Sequence, residues 1–476
     1  MEIIVAIELG SSKMTGIAGK KNPDGSITIL AVAQEPSASC IRKGVVYNID
    51  KTAQSLNQII NKLKLALKSE ITQVYVCVGG QSIRSVRNVI TKNLPADTII
   101  SQGMVNELMD ANRNMTYPEY KIIDAVTQEY KVDAQYQIDP VGIQAAKLEG
   151  NFLNILWRNS FYRSLNKCFD NAGIKIADMC LAPLAMADAV LTEAEKRAGC
   201  LLVDLGAGTT TVSIYYRGLL RHIAVIPLGG DNVTKDIESL QIDAPFAEEM
   251  KLKYAKAFTE PSDIDPSRSY PIGDGRSVDC CRFIDIVEAR VKEIIENVWA
   301  QVPPEFADKL LAGIVLTGGG ANMKEIEKAF RLSTNIAKIR IARFVGLSVS
   351  PANSKVPVLH DGTMNTVIAL VAKGDISCVG SQLGGDLFAK TGKADSNASL
   401  EGTRPEQPSQ AEFAERNAQA EAERLRKEEE ERIAKQKAEE QKRLEEEEKK
   451  KNSPFKRFVR SVKNFGRTLV EPENNE

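Results

Sequence analysis

Histidine is scarce in this 476-residue chain: only His222 and His360 are present. That leaves few candidates for imidazole acid–base chemistry or a histidine-built zinc site. The eight cysteines are scattered apart from the adjacent Cys280 and Cys281, and none forms a Cys-x-x-Cys pair. A disulfide framework is therefore not expected, and buried reduced thiols are. A net charge of −1 supplies no global basic field, so no nucleic-acid partner is expected. No apolar stretch reaches the roughly 20 residues a membrane-spanning helix needs. The start, Met1-Glu2-Ile3-Ile4-Val5, has no basic region ahead of its short apolar run and reads as a strand, not a signal peptide. Hydrophobic residues make up 43% of the chain, ample for real cores in more than one domain.

What is present centres on Leu201 to Thr211. An apolar run ends at Asp204, a turn holds Gly206 and Gly208, and Thr209 and Thr210 open the next extended run to Tyr216. β-Branched residues on both sides of the turn favour strand–turn–strand. Bare glycines and hydroxyls there expose successive backbone N–H groups, a concavity for a phosphate. Asp204, closing a buried strand, suits Mg²⁺ held through water.

A second copy lies near the N-terminus. Ile3 to Leu9 carries Glu8, and Gly10, Ser11, Ser12 and Lys13 follow before another extended run. Each copy continues through a turn, Asn22 to Gly25 or Arg217-Gly218, into a further strand. Internal repetition of this kind predicts two similar lobes closing on one nucleotide. A third element, Gly313 to Thr317, ends in Gly318, Gly319 and Gly320, against which a ribose or base can lie. Asn322 and Glu325 then have capping-box spacing for a helix.

Two phosphate hairpins and a late triple-glycine loop resemble the actin, sugar-kinase and chaperone ATPase superfamily. Within it the chain is similar to the FtsA family of bacterial division proteins. The resemblance is carried by Lys43-Gly44-Val45-Val46, Gln128-Glu129-Tyr130 with Pro140-Val141-Gly142, Leu181 to Leu191, and Leu220-Arg221-His222 through Ile226-Pro227. It covers most of residues 1–380 and the terminal segment. It implies ATP and Mg²⁺ as ligands, with Glu8 and Asp204 at the metal. It also implies self-polymerisation and docking of the FtsZ C-terminal peptide. Contact with other division proteins and a place on the cytoplasmic face of the inner membrane at the septum are implied as well. Superfamily members hold adenine with a Glu-x-x-Lys pair, and Glu248 and Lys251 have that spacing; a plain surface ion pair is an equal reading. Two departures stand out. Glu8 replaces the commoner aspartate, and Ala182 precedes Pro183 where related ATPases often place a water-orienting glutamate. Firm ATP binding with at most slow hydrolysis is therefore expected.

The expected architecture is α/β: a duplicated two-lobed actin-like ATPase fold with an inserted small α+β subdomain, a charged linker and a C-terminal amphipathic helix. The first lobe takes residues 1–83 and 166–198, and the insertion 84–165. The second-lobe core takes 199–230, an outer helical subdomain 231–300, and the continued core with its return to the first lobe 301–384. Helices are expected over 51–68, 102–113, 183–197, 281–300 and 364–372, strands over 128–137 and 143–156, and a loop over 261–275. Residues 385–453 read as a low-complexity linker whose charged stretch Ala411–Lys451, with i,i+4 pairs such as Glu431/Lys435 and no heptad seam, is a solvated helix or disordered. In 454–476, Phe455, Phe458, Val462, Phe465 and Leu469 share one helical face. Lys456, Arg457, Arg460, Lys463 and Arg467 fall mainly on the other. Such a segment lies in a membrane interface, where each basic residue near anionic lipid contributes about 1 kcal/mol. A helix docked on the protein's own core and a calmodulin-like partner are the other readings. A sugar kinase would need a substrate base between the lobes, and neither it nor a pilus-assembly homologue has use for such an anchor.

Overall fold

A computed structural model describes residues 2–382 except Asp274. The linker and terminal segment, 385–476, lie outside the described residues.

The chain opens with β1 (Ile3–Leu9), β2 (Lys13–Lys21) and β3 (Ile27–Pro36), an antiparallel meander. Helix α1 (Ile49–Leu67) follows, its N-terminus capped by Asn48, whose side chain accepts from the Lys51 amide. Leu56, Ile59, Ile60 and Leu63 recur at helical spacing and are all buried. Full burial of each stabilises the fold by about 1.5–3 kcal/mol. Strand β4 (Gln73–Val78) then runs parallel to β1.

The insertion is mostly long antiparallel strand: β5 (Arg84–Ile99), α2 (Gln102–Arg113), β6 (Tyr120–Val132), β7 (Gln135–Gln137) and β8 (Gln144–Arg158). Two expectations change here. The stretch 128–137 is not one strand: Asp133, at φ 50°, turns the chain so that β7 pairs back on β6. Strand β5 has no counterpart in the sequence reading. Its polar residues, Ser85, Arg87, Asn88, Thr91, Lys92 and Asn93, hide the alternation because both its faces are partly solvated. A separate small core, with Leu148 and Phe152 fully buried, holds α2 to this sheet.

Helix α3 (Asn159–Ala172) packs on α1, and β9 (Lys175–Leu181) runs parallel to β4. The helix expected over 183–197 is two. Helix α4 (Ala182–Val190) stops before Thr192, which starts α5 (Glu193–Ala198) with a full capping box to Glu195. Glu195 also takes Arg340 at 2.6 and 2.8 Å. That hydrogen-bonded guanidinium holds its carboxyl down at about 2. A depressed folded pKa contributes stability above the unfolded value of 4.5 that is lost as pH falls toward 2. Glu195→Gln should flatten the thermal-midpoint curve in that window and leave it unchanged in shape above pH 5.

The second hairpin unit is β10 (Cys200–Leu205), β11 (Thr210–Tyr216) and β12 (Leu219–Ile226). Helices α6 (Gly230–Glu238), α7 (Ala244–Tyr254) and α8 (Cys280–Ala300) form the outer part. The expected 261–275 loop contains a strand: Ser269–Gly273 pairs with Arg276–Asp279. Then come β13 (Gly313–Thr317), α9 (Ile326–Thr334), β14 (Ile339–Ile341), β15 (Val349–Pro351) and α10 (Asn365–Lys373).

Two sheets result. The first has the order β9-β4-β1-β2-β3-β15, and the second β7-β6-β8-β5-β12-β11-β10-β13-β14. The insertion joins the second sheet through one residue pair, Arg84 with Ala224. Strand β10 explains its uninterrupted apolar run: Cys200 and Leu202 face the first-lobe core, while Leu201, Val203 and Leu205 face the second. A strand covered on both faces needs no polar alternation. All eight cysteines are free, and six of them are buried.

Candidate nucleotide site between the two hairpins

The two Gly-rich turns face each other. A Cβ added to Gly208 would lie 2.7 Å from Ser11 Oγ and 2.9 Å from Ser11 Cβ. Only glycine permits that approach. The Lys43 backbone nitrogen stands 3.3 Å from the same point.

Each turn is braced. In the first, Ser37 Oγ donates to Gly10 O at 2.6 Å, the Ser37 amide donates to Ser12 O, and the Gly44 amide donates to Ser11 Oγ at 2.9 Å. Gly44 in turn lies against Gly80 backbone to backbone, so a Cβ there would fall 2.5 Å from the Gly80 Cα. In the second, the Gly206 amide donates to Thr209 O, and Thr210 Oγ1 donates to Leu228 O. The first amides of α6 close over this turn: those of Gly230 and Asp231 donate to the carbonyls of Gly206 and Ala207.

Glu8 and Asp204 come together at the floor. Desolvation pushes the Glu8 carboxyl up to about 7, the Asp204 charge adds to the rise, and a Thr366 hydrogen bond and Lys13 oppose it. Desolvation lifts Asp204 to about 6. Two carboxylates share one desolvated place and are opposed by a single lysine, a charge imbalance that a bound cation would offset. Among the described residues no three metal-ligating side chains cluster. A two-carboxylate floor suits an ion that keeps most of its water.

The triple-glycine loop lies over the same floor. Gly318 has φ 84°, and a Cβ on it would fall 2.3 Å from Asp204 Oδ1. Gly320 packs on Leu205, whereas Gly319 meets only Thr363 at an ordinary 3.5 Å. The capping box expected from Asn322 to Glu325 does not form. Gly319–Asn322 is a 3-10 turn, Glu325 is left-handed at φ 62°, and α9 starts at Ile326 without a side-chain cap. The Asn322 side-chain amide instead donates to Asp361 O at 2.7 Å. Glu248 and Lys251 do pair, at 2.6 Å, and both reach back to the cleft: Lys251 Nζ donates to Gly230 O and Thr234 Oγ1, and Thr234 Oγ1 donates to Glu248.

Sequence reading placed α10 over 364–372 but did not assign its first residues, Asn365 and Thr366, to the site. Asn365 Nδ2 bridges Thr317 Oγ1 and Ala342 O, both buried, and Thr366 bonds Glu8. The available signal was a polar Asn-Thr pair opening an otherwise apolar helix. Ala182 opens α4 just past the end of β9, its Cβ 3.6 Å from where a Cβ on Gly79 would be, and brings no carboxylate there. No described helix is long and apolar enough to cross a membrane.

Residues 201–356 match the family model described as cell division protein FtsA, and residues 80–156 match the SHS2 domain inserted in FTSA. Among solved structures, the PilM–PilN type IV pilus biogenesis complex aligns at TM-score 0.50 and 16% identity, over 77% of this chain and 97% of that one. The shared architecture is the actin-like ATPase fold. FtsA of Pseudomonas aeruginosa is 31% identical over 73% of this chain and 84% of its own, and that of Bacillus subtilis 31% over 68% and 74%. FtsA of Neisseria meningitidis serogroup B is 33% identical over 341 residues, 69% of this chain and 82% of its own length. With one matched segment spanning the insertion, the other the second hairpin, and a relative 33% identical over 82% of its own length, the chain belongs to the FtsA family of bacterial cell division proteins.

Proposed function

We propose that the chain binds ATP with Mg²⁺ between its two hairpins, polymerises, and ties FtsZ filaments to the cytoplasmic face of the membrane at the division septum. The observation that carries the nucleotide half is the apposition of Gly208 and Ser11 above the Glu8–Asp204 pair. Backbone amides and hydroxyls of Gly10, Ser11, Ser12, Gly208 and Thr209 would hold phosphate oxygens, with Lys13 adding charge; the Gly206 amide and the Thr210 hydroxyl, already donated to Thr209 O and Leu228 O, shape the turn. Glu8 and Asp204 would order the water shell of Mg²⁺, which neutralises phosphate charge when bound. Gly318, Gly319 and Gly320 would lie against the adenosine, with Glu248 and Lys251 beside the base. Nothing at Ala182 orients an attacking water, so the purified chain without partners should turn ATP over more slowly than about once per minute. Turnover many times per minute would contradict that reading.

The tethering half rests on Phe455, Phe458, Val462, Phe465 and Leu469 opposite Lys456, Arg457, Arg460, Lys463 and Arg467. The outer subdomain around α7 and α8 is the proposed seat for the FtsZ C-terminal peptide. The test is flotation with anionic liposomes, comparing the full chain with one ending at residue 453. The full chain should float and the truncated one should pellet. Equal flotation would remove the membrane role.

A further inference from the structure

A second pocket, of about 410 Å³, lies between the insertion and the second lobe, away from the hairpin cleft. Its walls carry Arg87, Arg217, Arg221 and Lys309 against only Glu129 and Glu305, leaving two positive charges in excess. Its apolar surface includes Tyr216 and Phe306, ring centroids 6.4 Å apart. Three of the cations lie over these rings: Arg217 at 5.3 Å and Lys309 at 5.5 Å from Tyr216, and Arg87 at 5.5 Å from Phe306.

The pocket is built rather than incidental. Arg221 is fixed by donating from Nε to Tyr216 O at 3.2 Å and from Nη1 to Gln128 Oε1 at 3.1 Å. Gln128 is itself buried and donates across to Leu220 O at 3.0 Å. Burial, with Arg217 and Arg87 nearby, pulls the Arg221 guanidinium below its usual range. Arg217 occupies a left-handed turn position, φ 56°, that Asn or Gly would take at lower cost. Gln128-Glu129 and Leu220-Arg221 are stretches that the nucleotide site leaves unused.

The chemistry of the walls selects the ligand. Cations spread over several elements, interrupted by two carboxylates and backed by aromatic faces, disfavour a compact polyphosphate. They suit spaced carboxylates flanking an apolar side chain. A volume of this size accepts a few side chains, not a domain. We propose that this pocket docks an acidic peptide segment of a partner protein, its carboxylates on Arg217, Arg221 and Lys309 and its apolar residue against Tyr216 and Phe306. The insertion meets the second lobe through the β5–β12 pair and through Gln128, which bonds Leu220 and Arg221, so a peptide seated here touches both sides of that junction.

The test uses the full chain and a fluorescein-labelled peptide of sequence EDLFDE, followed by fluorescence anisotropy. Wild type should bind it saturably, more weakly as salt rises, and should not bind the neutral QNLFNQ. Arg217 and Lys309 are exposed, so Arg217→Glu with Lys309→Glu should leave the thermal midpoint and ATP binding unchanged while weakening the peptide at least tenfold. If charge reversal unfolds the chain, Arg217→Gln with Lys309→Gln replaces it and should weaken the peptide at least threefold. Three results would overturn the proposal: no saturable binding by wild type, equal binding by the substituted chain, or equal binding of QNLFNQ. A fourth is loss of self-association in sedimentation with peptide binding intact, which would make the face a contact between copies.

Discussion

Asp204→Asn should weaken Mg²⁺-dependent ATP binding by about ten- to a hundredfold and, without nucleotide, should raise the unfolding temperature at pH 8. The opposite signs share one origin. In the folded chain Glu8 is lifted from 4.5 to about 7 and Asp204 from 3.8 to about 6. A raised folded pKa means that the folded state keeps protons the unfolded chain has released. The contribution is therefore fully present below about pH 4 and is lost as pH rises through 6 and 7. Above that, two charges share a desolvated floor with Lys13 as the opposing charge, which lowers the stability of the nucleotide-free chain. An asparagine side chain in that place cannot ionise, and the substitution also removes the charge that helps lift Glu8. The variant should gain on wild type progressively between pH 4 and pH 8, and scanning calorimetry across that range reads the effect. Added Mg²⁺ with ATP should reverse the ranking, because a bound cation would offset the two carboxylate charges. Equal ATP affinity in both chains would remove Asp204 from the metal site.

Gly318→Ala should destabilise the chain by about 3 kcal/mol, combining a left-handed backbone with hard overlap. Its Cβ would fall 2.3 Å from Asp204 Oδ1 and 2.7 Å from Leu205 O; the carboxylate can swing aside, but the Leu205 carbonyl cannot retreat without moving β10. Gly319→Ala, one residue on, meets Thr363 at 3.5 Å and should change stability by less than about 0.5 kcal/mol. Gly320→Ala should fall between, because its Cβ would press on Leu205 Cβ at 2.9 Å. Denaturant titration of the three variants gives the ranking. If all three cost the same, the loop is a generic flexible turn and not a surface fitted to the floor.

These cases show where the sequence was legible. The hairpins were readable because they repeat, and repetition at about 200 residues' distance constrains what local propensity cannot. The apolar run of β10 was readable as buried, although not as shared between two cores. What failed was set by contacts from far along the chain. Asn322 and Glu325 have the spacing of a cap, yet the Asn322 side-chain amide is taken by the carbonyl of Asp361, brought in by the segment leading to α10. Strand β5 carries polar residues on both faces among Val86, Ile90 and Leu94, and it gains its order from pairing along β8. The break after Val190 was readable in principle, since Thr192 and Glu195 carry the capping box that starts α5, but the alanine-rich run ahead of it masked it. The role of Asn365 and Thr366 had no local signal beyond polarity at a helix start, because their partners sit in β13 and β1.

Calorimetric titration of ATP with Mg²⁺ into wild type and two variants, each altered in one lobe alone, tests the clamp most directly. Ser12→Leu alters the first hairpin and Gly208→Val the second. A nucleotide gripped by both turns predicts that each substitution by itself abolishes measurable binding while the fold survives by circular dichroism. Undiminished binding in either variant would mean that one loop suffices, and the two-lobed clamp would be wrong.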